Sequence, residues 1–444
     1  MAKARGACDR SGVSEPVPSV SFSDAVRVWA RIGVLSFGGP AAQIALMHRM
    51  LVDEKKWVGE AQFLHALNFC MLLPGPEAQQ LATYVGWLLH GVRGGLVAGL
   101  LFILPGMLVM LGLSVLYVTL GQVPAVEGLL FGLKAAVLII VAEALERVGR
   151  RALGSGVARL LAVLAFAALF LFGVPFPVVV LAAGLIGYVA GRRGSTLFAR
   201  APGDTALDMA PRRSSPLAIV SLAVLWFAPL GLLWLLLPGS VYAEIARFFS
   251  WLAVITFGGA YAVLSYMADV VVGGFGWMRP HEMMDALGLA ETTPGPLILV
   301  TQFVGFLAAW REGGGSIGAG VLGALLTTWV TFAPCFLWIF AGAPYVERLR
   351  GNRALASALG AITAAVVGVI ANLGLWFAVH FLFARTVRLD AGPFDAALPD
   401  WASLDVAALA LTVVLGAIAW RWKIGIGPLL LIGIGLGFAV RAVL

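Results

Sequence analysis

Charge is scarce in this sequence: only 12% of its 444 residues are Asp, Glu, Lys or Arg, about half the share of a soluble globular chain, while 61% are hydrophobic. A water-soluble domain of that composition would expose extensive apolar surface, so a soluble fold is excluded. Cysteine is scarcer still. Cys8, Cys70 and Cys335 are too few and too scattered for a disulfide framework or a thiolate metal site, and no C-x-x-C occurs. Two other motifs are missing: H-E-x-x-H, which His281-Glu282-Met283-Met284-Asp285 only approaches, and the G-x-x-x-x-G-K-[ST] loop that cradles nucleotide phosphates. An ATP-driven pump is not indicated, and no cofactor or metal is expected. Gly433-x-Gly435-x-Gly437 and Gly313-Gly314-Gly315 follow no strand, so helix packing or a turn explains them better than a dinucleotide loop. The first 20 residues hold Lys3, Arg5, Asp9, Arg10 and Glu15 without an apolar core, which reads as a polar tail rather than a cleaved signal peptide.

What the chain does have is long uncharged runs. Those at 94–126, 160–191, 214–243, 313–346 and 354–384 each exceed the roughly 20 residues that cross a bilayer as helix. The fold class expected is an all-α polytopic integral membrane protein. Run 160–191 should break at Gly173-Val174-Pro175-Phe176-Pro177 into two short helices that span with thinning or tilt mismatch.

The chain also repeats itself. Phe37-Gly38-Gly39, Trp57 and Pro74-Gly75-Pro76 return as Phe257-Gly258-Gly259, Trp277 and Pro294-Gly295-Pro296, each displaced by 220 positions. Ala42/Ala262, Met47/Met267, Val52/Val272 and Ala66-Leu67/Ala286-Leu287 keep the same register. The divisions this implies are a polar cytoplasmic tail at 1–21, a first transmembrane repeat at 22–191, a cytoplasmic linker plus one orientation-inverting span at 192–243, and a second repeat at 244–444.

The net charge of +7 sits in short loops, which points to membrane orientation rather than to nucleic acid. Arg147, Arg150, Arg151 and Arg159 mark one loop as cytoplasmic, and Arg192, Arg193, Arg200, Arg212 and Arg213 mark the next. The uncharged loop 120–124 has a counterpart holding Arg348, Arg350 and Arg353, and the basic loop 147–159 has an acidic counterpart at 385–405. Loops that exchange charge character between halves are what inverted-topology repeats require. The N-terminus is then expected in the cytoplasm and the C-terminus outside. Segment 22–119 must cross an odd number of times, as three spans or as two re-entrant hairpins plus one span. Thirteen crossings follow from the first, and nine crossings with four hairpins from the second.

Glycine and proline break the helical pattern at the same two places in each half. Broken backbone is tolerated in a bilayer only where protein or a hydrated cavity satisfies it, so the breaks point to a midplane cavity, with packing kinks as the competing explanation. Helices starting after each break would aim unpaired amides and the positive dipole end into that cavity, so that four such starts could surround one oxyanion. The backbone of Gly38, Gly39, Gly75, Gly258, Gly259 and Gly295 would form it. Arg31 is the candidate fixed cation, against a snorkelling interfacial role. Lys134, inside an apolar stretch, needs a partner such as Glu143, Glu127 or substrate. Glu77 is either a helix cap or a proton-coupling carboxylate, and Gln43, Gln79 and Gln80 supply neutral hydrogen-bonding groups. In the second half the polar residues Glu291, Thr292 and Thr293 lie before the break, so the expected site is asymmetric and leans on the first half for Glu77, Gln79 and Gln80.

The run Arg31-Ile-Gly33-Val-Leu-Ser-Phe37-Gly38-Gly39-Pro40-Ala-Ala-Gln43-Ile44, with Trp57 and Leu73-Pro74-Gly75-Pro76-Glu77-Ala-Gln79-Gln80, closely resembles the chromate ion transporter family. The resemblance extends through Gly86-Trp87, Gly94-Gly95 and Leu104-Pro105-Gly106, and with the second motif set it covers the long, two-domain form of that family. Gly106, where many relatives carry serine, and Ala260, in place of a proline, depart from the pattern. The resemblance implies inverted homologous halves and export of chromate across the bacterial cell membrane, driven by membrane potential or a proton gradient and conferring chromate resistance. Sulfate, also a tetrahedral dianion, is the nearest rival substrate. Expected partners are therefore a chromate- or sulfate-like dianion and membrane lipid, with a homo-oligomer compatible but unspecified. The reading from another class is a membrane-embedded enzyme using Glu77, Asp269 or Glu282 on a lipid-linked substrate, which lacks a metal set or an activated nucleophile.

Overall fold

A computed structural model describes residues 20–121, 123–195, 198, 215–257, 259–343, 352–391 and 394–443. Gly258 lies outside the described residues, as do most of the polar tail and five of the arginines used for orientation, Arg200, Arg212, Arg213, Arg348 and Arg350.

The described chain is built almost entirely of helix. The first half runs through α1 (Phe22–Leu35), α2 (Gly39–His48), a π turn (Arg49–Glu54), α3 (Glu60–Cys70), α4 (Glu77–Leu120), α5 (Pro124–Ala152), α6 (Gly156–Phe172) and α7 (Phe176–Arg192). After α8 (Pro216–Leu236) come α9 (Val241–Ile255), α10 (Ala260–Ala268), a second π turn (Asp269–Gly274), α11 (Pro280–Thr292), a 3-10 turn (Leu297–Leu299), α12 (Val300–Glu312), α13 (Ile317–Gly342) and α14 (Arg353–Leu382). A β-hairpin and the helices α15 (Val406–Trp422) and α16 (Ile426–Val443) close the chain.

Five of these, α4, α5, α8, α13 and α14, are long and apolar enough to cross a membrane. As the sequence predicts, 160–191 divides: Gly173 ends α6 in the left-handed region at φ 58°, and Pro175-Phe176-Pro177 starts α7. Each of these two helices has 17 residues, about 26 Å, slightly less than the hydrocarbon thickness. The all-α expectation misses one element. Thr386–Ala391 (β1) pairs antiparallel with Phe394–Pro399 (β2), because Val387 and Leu389 alternate with polar residues at the two-residue period of a strand.

The two halves open with the same order of elements, helix, helix, π turn, helix, in α1 to α3 and again in α9 to α11. Both π turns lie 220 positions apart, as do the Phe-Gly-Gly and Pro-Gly-Pro breaks, while α15 and α16 start 250 positions after α6 and α7.

Helix α4 is two helices merged across a kink, where His90 and Gly91 leave helical geometry (Gly91 φ 65°). The arms fold back on each other with their backbones almost touching: a Cβ on Gly86 would meet the Gly94 carbonyl oxygen at 2.5 Å, and one on Gly94 the Gly86 carbonyl oxygen at 2.3 Å. The start of α1 sits at this kink, with His90 Nε2 2.8 Å from the Val20 carbonyl and its ring edge-on to Phe22. Equivalent points in the second half lie elsewhere. Arg311, 220 positions after Gly91, bonds the Trp277 carbonyl and Glu282 and shares a cavity with Tyr117, at the far end of α4. Gly91 and Tyr117 are separated by about 40 Å of helix.

Candidate functional site

The four glycine-proline breaks meet. Gly38 (φ 85°) and Gly39 (φ 77°) turn the chain into α2, Gly259 (φ 102°) into α10, and Gly75 (φ 123°) and Gly295 (φ 89°) bend the Pro-Gly-Pro turns that precede α4 and the 3-10 turn. These angles lie where an L side chain is strained, which is why glycine occupies each. The turns are tied crosswise: the Gly75 amide donates to the Thr256 carbonyl (2.9 Å), and the Gly295 amide to the Ser36 carbonyl (2.7 Å). Ser36 and Thr256 cap α1 and α9, and both hydroxyls donate one turn back, to Ile32 (2.6 Å) and Leu252 (2.5 Å).

Between the turns lies a small cavity of about 20 Å³, lined from all four breaks by Pro40 and Gln43, Gly75 to Ala78, Gly259 and Ala260, and Pro296 to Ile298. Four helical N-termini, those of α2, α4, α10 and the 3-10 turn, border it. First-turn amides have no intrahelical acceptor, so the positive ends of the α2, α4 and α10 dipoles lie at the cavity wall, beside the 3-10 turn. The cavity has room for about one water and is too small in this conformation for a tetrahedral oxyanion.

Of the sequence-predicted residues, Gln43, Gly75, Glu77 and Gly259 line this cavity. Glu77 lines the cavity directly, half-buried, at the start of α4. Gln43 is buried and donates Nε2 to the Gly295 carbonyl (2.6 Å), with the Ser36 carbonyl at 3.4 Å. Gln80 Nε2 donates to the Pro74 carbonyl (2.7 Å), and Gln79 Nε2 to Thr83 Oγ1 (3.0 Å). The amide oxygens of all three glutamines are buried without a hydrogen-bond partner among the described residues. Thr292 and Thr293 donate to carbonyls of their own helix, Leu289 and Ala290, both at 2.8 Å.

Beside the small cavity is a larger one of about 630 Å³, where Phe37, Gly38, Ala41 and Ala42 face Arg147 of α5, Glu291 and Thr292 of α11, and the start of α16. Tyr261 Oη donates to Glu291 Oε1 at 2.6 Å. The sequence places Glu291 among the polar residues before the second break, whereas Arg147 reads only as an orientation charge and Tyr261 carries no local signal. Arg147 reads in the sequence as part of the basic loop after 126–146, yet it stands within α5, one helical turn short of Arg151. Arg31, by contrast, sits on the exposed face of α1 and lines neither cavity.

Lys134 belongs to a third cavity, about 710 Å³, near the other end of α5 and about 20 Å of helix from Arg147. Its partner is neither Glu143 nor Glu127 but Asp285, a residue distant in sequence on α11 that only the fold brings near. Nζ stands 3.3 Å from Asp285 Oδ1, close enough for an ion pair though outside hydrogen-bond geometry, and Tyr117 Oη donates to Oδ2 at 3.0 Å. Glu282 in the same cavity caps the Arg279 amide and pairs with Arg311 at 2.5 Å. Among the described residues no three His, Cys, Asp or Glu side chains gather as a metal-ligand set.

The sequence profile described as "Chromate transporter" matches residues 23–188 and 243–440. The "Probable chromate transport protein" of Synechococcus elongatus is 27% identical over 91% of this chain and 97% of its own length. The "Chromate transport protein" of Pseudomonas aeruginosa is 32% identical over 80% of each chain. The protein of the same description from Cupriavidus metallidurans is 28% identical over 81% of this chain and 83% of its own. No solved structure matches the chain.

Proposed function

The chain belongs to the chromate transporter family, and from that premise we propose that it is a secondary transporter that exports chromate through the junction of its two halves. The observation that carries this reading is the convergence of four helix N-termini on one cavity at the paired breaks. Backbone amides and dipoles recognise an anion without committing a buried lysine or arginine to it.

The reciprocal bonds Gly75 to Thr256 and Gly295 to Ser36 support a duplication with a two-fold relation between halves, since each contact recurs with the halves exchanged. Gly91 at one end of the second arm of α4, and Arg311 of α12 beside Tyr117 at the other, support inversion. Helices α1 to α3 and the first arm of α4 then form two re-entrant hairpins from one face, and α9 to α12 form two from the other. The second arm of α4 and helices α5 to α8 and α13 to α16 cross fully. That gives nine crossings and four hairpins, with repeats at 22–191 and 244–444 joined through 192–243. By the positive-inside rule Arg147, Arg150, Arg151 and Arg192 face the cytoplasm of a bacterial cell, so the N-terminus is inside and the C-terminus outside.

In this arrangement the Arg147 cavity is the cytoplasmic approach, the small cavity is the occluded centre and the Lys134 cavity is the outer exit. Gly38, Gly39, Gly75, Gly259 and Gly295 shape the centre. Gln43, Gln79, Gln80, Thr292 and Thr293 orient the oxyanion, and Glu77 tunes its charge or exchanges a proton. Arg31 attracts the anion from the cytoplasmic surface, and Lys134 receives it on the outer side. Moving a dianion out of a negative-inside cell is downhill by roughly 4 to 5 kcal/mol per 100 mV, so the membrane potential suffices for export and for resistance to chromate.

The test is uptake of labelled chromate by inverted membrane vesicles with an imposed potential, with and without excess sulfate. Accumulation that follows the potential is expected. Its absence with a correctly inserted protein would overturn the substrate or the direction, and accumulation of sulfate in preference to chromate would reassign the substrate within the oxyanions.

A further inference from the structure

The cavity beside the first Phe-Gly-Gly turn contains a carboxylate as well as a cation. Glu291, the penultimate residue of α11, is only 4% exposed, yet it lines this cavity together with Arg147 and Gly38. An ionised Glu291 opposite Arg147 leaves the cavity with no net charge and sets a fixed negative charge in the path of a dianion. A protonated Glu291 leaves one net positive charge there.

We propose that Glu291 is a proton-binding site coupled to anion admission, taking up one proton when an oxyanion dianion enters the Arg147 cavity and releasing it when the anion leaves. The proton comes from water on the Arg147 face and goes to the Glu291 carboxylate. No bond to the anion forms, and the cavity gains one positive and two negative charges. This rests on the anion reading of the junction.

Among the described residues Glu291 is the carboxylate that lines this cavity, and Glu77, the other candidate for a proton, lines the smaller one. Tyr261 of α10 donates to Glu291 Oε1, and Arg147 lies on α5 with Glu143 one turn before it. Of the other helices packed on α11, Arg311 and Glu312 close α12, Arg353 and His380 flank α14, Arg441 closes α16, and α4 carries Glu77 at its start, His90 and Arg93 at its kink and Tyr117 beside Asp285. The two halves differ here. Met71 stands where Glu291 would recur in the first half and Ala41 where Tyr261 would, so only one of the two repeats holds this acid.

The experiment is equilibrium binding of labelled chromate to the purified full-length chain at a series of pH values, comparing the native protein with Glu291→Gln and Tyr261→Phe. Chromate's own protonation is common to all three and cancels in the ratios. In the native protein, affinity relative to Glu291→Gln should fall by about tenfold per pH unit once Glu291 ionises. Tyr261→Phe, which removes a donor to the carboxylate, should hold its affinity to higher pH than the native protein. Parallel pH profiles for the native protein and Glu291→Gln would overturn the inference while leaving transport intact. Failure of the native protein to bind chromate at any pH would overturn it together with the reading on which it rests.

Discussion

The amide of Gly75 donates to the carbonyl of Thr256 at 2.9 Å, so the first Pro-Gly-Pro turn is anchored on the residue that precedes the second Phe-Gly-Gly turn. Its counterpart, Gly295 to Ser36 at 2.7 Å, makes each half close the other's break. Neither half can therefore form the junction alone.

Substitution at these turns should be costly. At Gly75 a Cβ would meet Gln80 Nε2 at 2.8 Å and Cys335 Sγ at 2.9 Å, on a backbone already at φ 123°. Gly75→Ala is expected to lose about 1–3 kcal/mol from strain alone and to abolish transport. Gly259→Ala meets no atom within 4 Å and incurs only the strain of its positive φ, so it should retain more function. Thermal unfolding in detergent and vesicle uptake measure both, and equal loss in the two variants would contradict the steric reasoning.

The Lys134–Asp285 pair gives a charge test. Lys134→Gln leaves a nearly inaccessible carboxylate whose hydrogen-bond donor among the described residues is Tyr117, and should destabilise the protein by about 3 kcal/mol. Adding Asp285→Asn should recover most of that loss, because no uncompensated charge remains. A double variant as unstable as the single one would mean that the pair is not what holds Asp285.

Two arginines should separate by their salt dependence. Arg147 lines the cavity and its guanidinium fork suits an oxyanion, so Arg147→Lys should weaken chromate binding about tenfold or more, with little change on adding salt. Arg31 is exposed on α1 and acts through its field, so Arg31→Ala should slow uptake at low ionic strength and match the native rate once salt screens it. Unchanged transport in both Arg31→Lys and Arg31→Ala at low salt would remove Arg31 from the pathway.

At the end of α2, outside the apolar spans, His48 Nε2 lies 2.5 Å from Glu60 Oε2, and Nδ1 lies 3.4 Å from Asp53. The hydrogen bond to Glu60, opposed in part by desolvation and aided by Asp53, raises the imidazole above its ordinary value. A raised value in the folded state means the contribution is full below the unfolded value near 6.5 and is lost as pH rises through the folded one. At this solvent-screened position it should be less than about 1 kcal/mol. Glu60→Gln should lower the unfolding temperature slightly in mildly acidic buffer and leave it unchanged in alkaline buffer. A difference that grows with pH would have the wrong sign.

How much of this was legible in the sequence varies with the physics involved. The breaks at Phe37-Gly38-Gly39 and Pro74-Gly75-Pro76, their return 220 positions on, and the split at Gly173 to Pro177 could be read directly, because glycine and proline act on their own backbone. The polar set Gln43, Glu77, Gln79 and Gln80 could be read too, since it sits within a turn or two of those breaks. Arg147 was hidden by its neighbours: among Arg150, Arg151 and Arg159 it counts as a topogenic charge, and only packing turns it toward Gly38. Asp285 was considered solely as part of a failed metal motif, because nothing local ties α11 to Lys134. The β-hairpin was passed over as an acidic loop.

The measurement that bears most directly on a single site shared by both halves is the stoichiometry of labelled chromate bound to the purified chain, in the native protein and in Gly75→Ala and Gly295→Ala separately. One chromate per chain, lost in either variant, is the expected result. Two chromates per chain, each lost in only one variant, would mean that the halves bind independently, and the shared junction would be wrong.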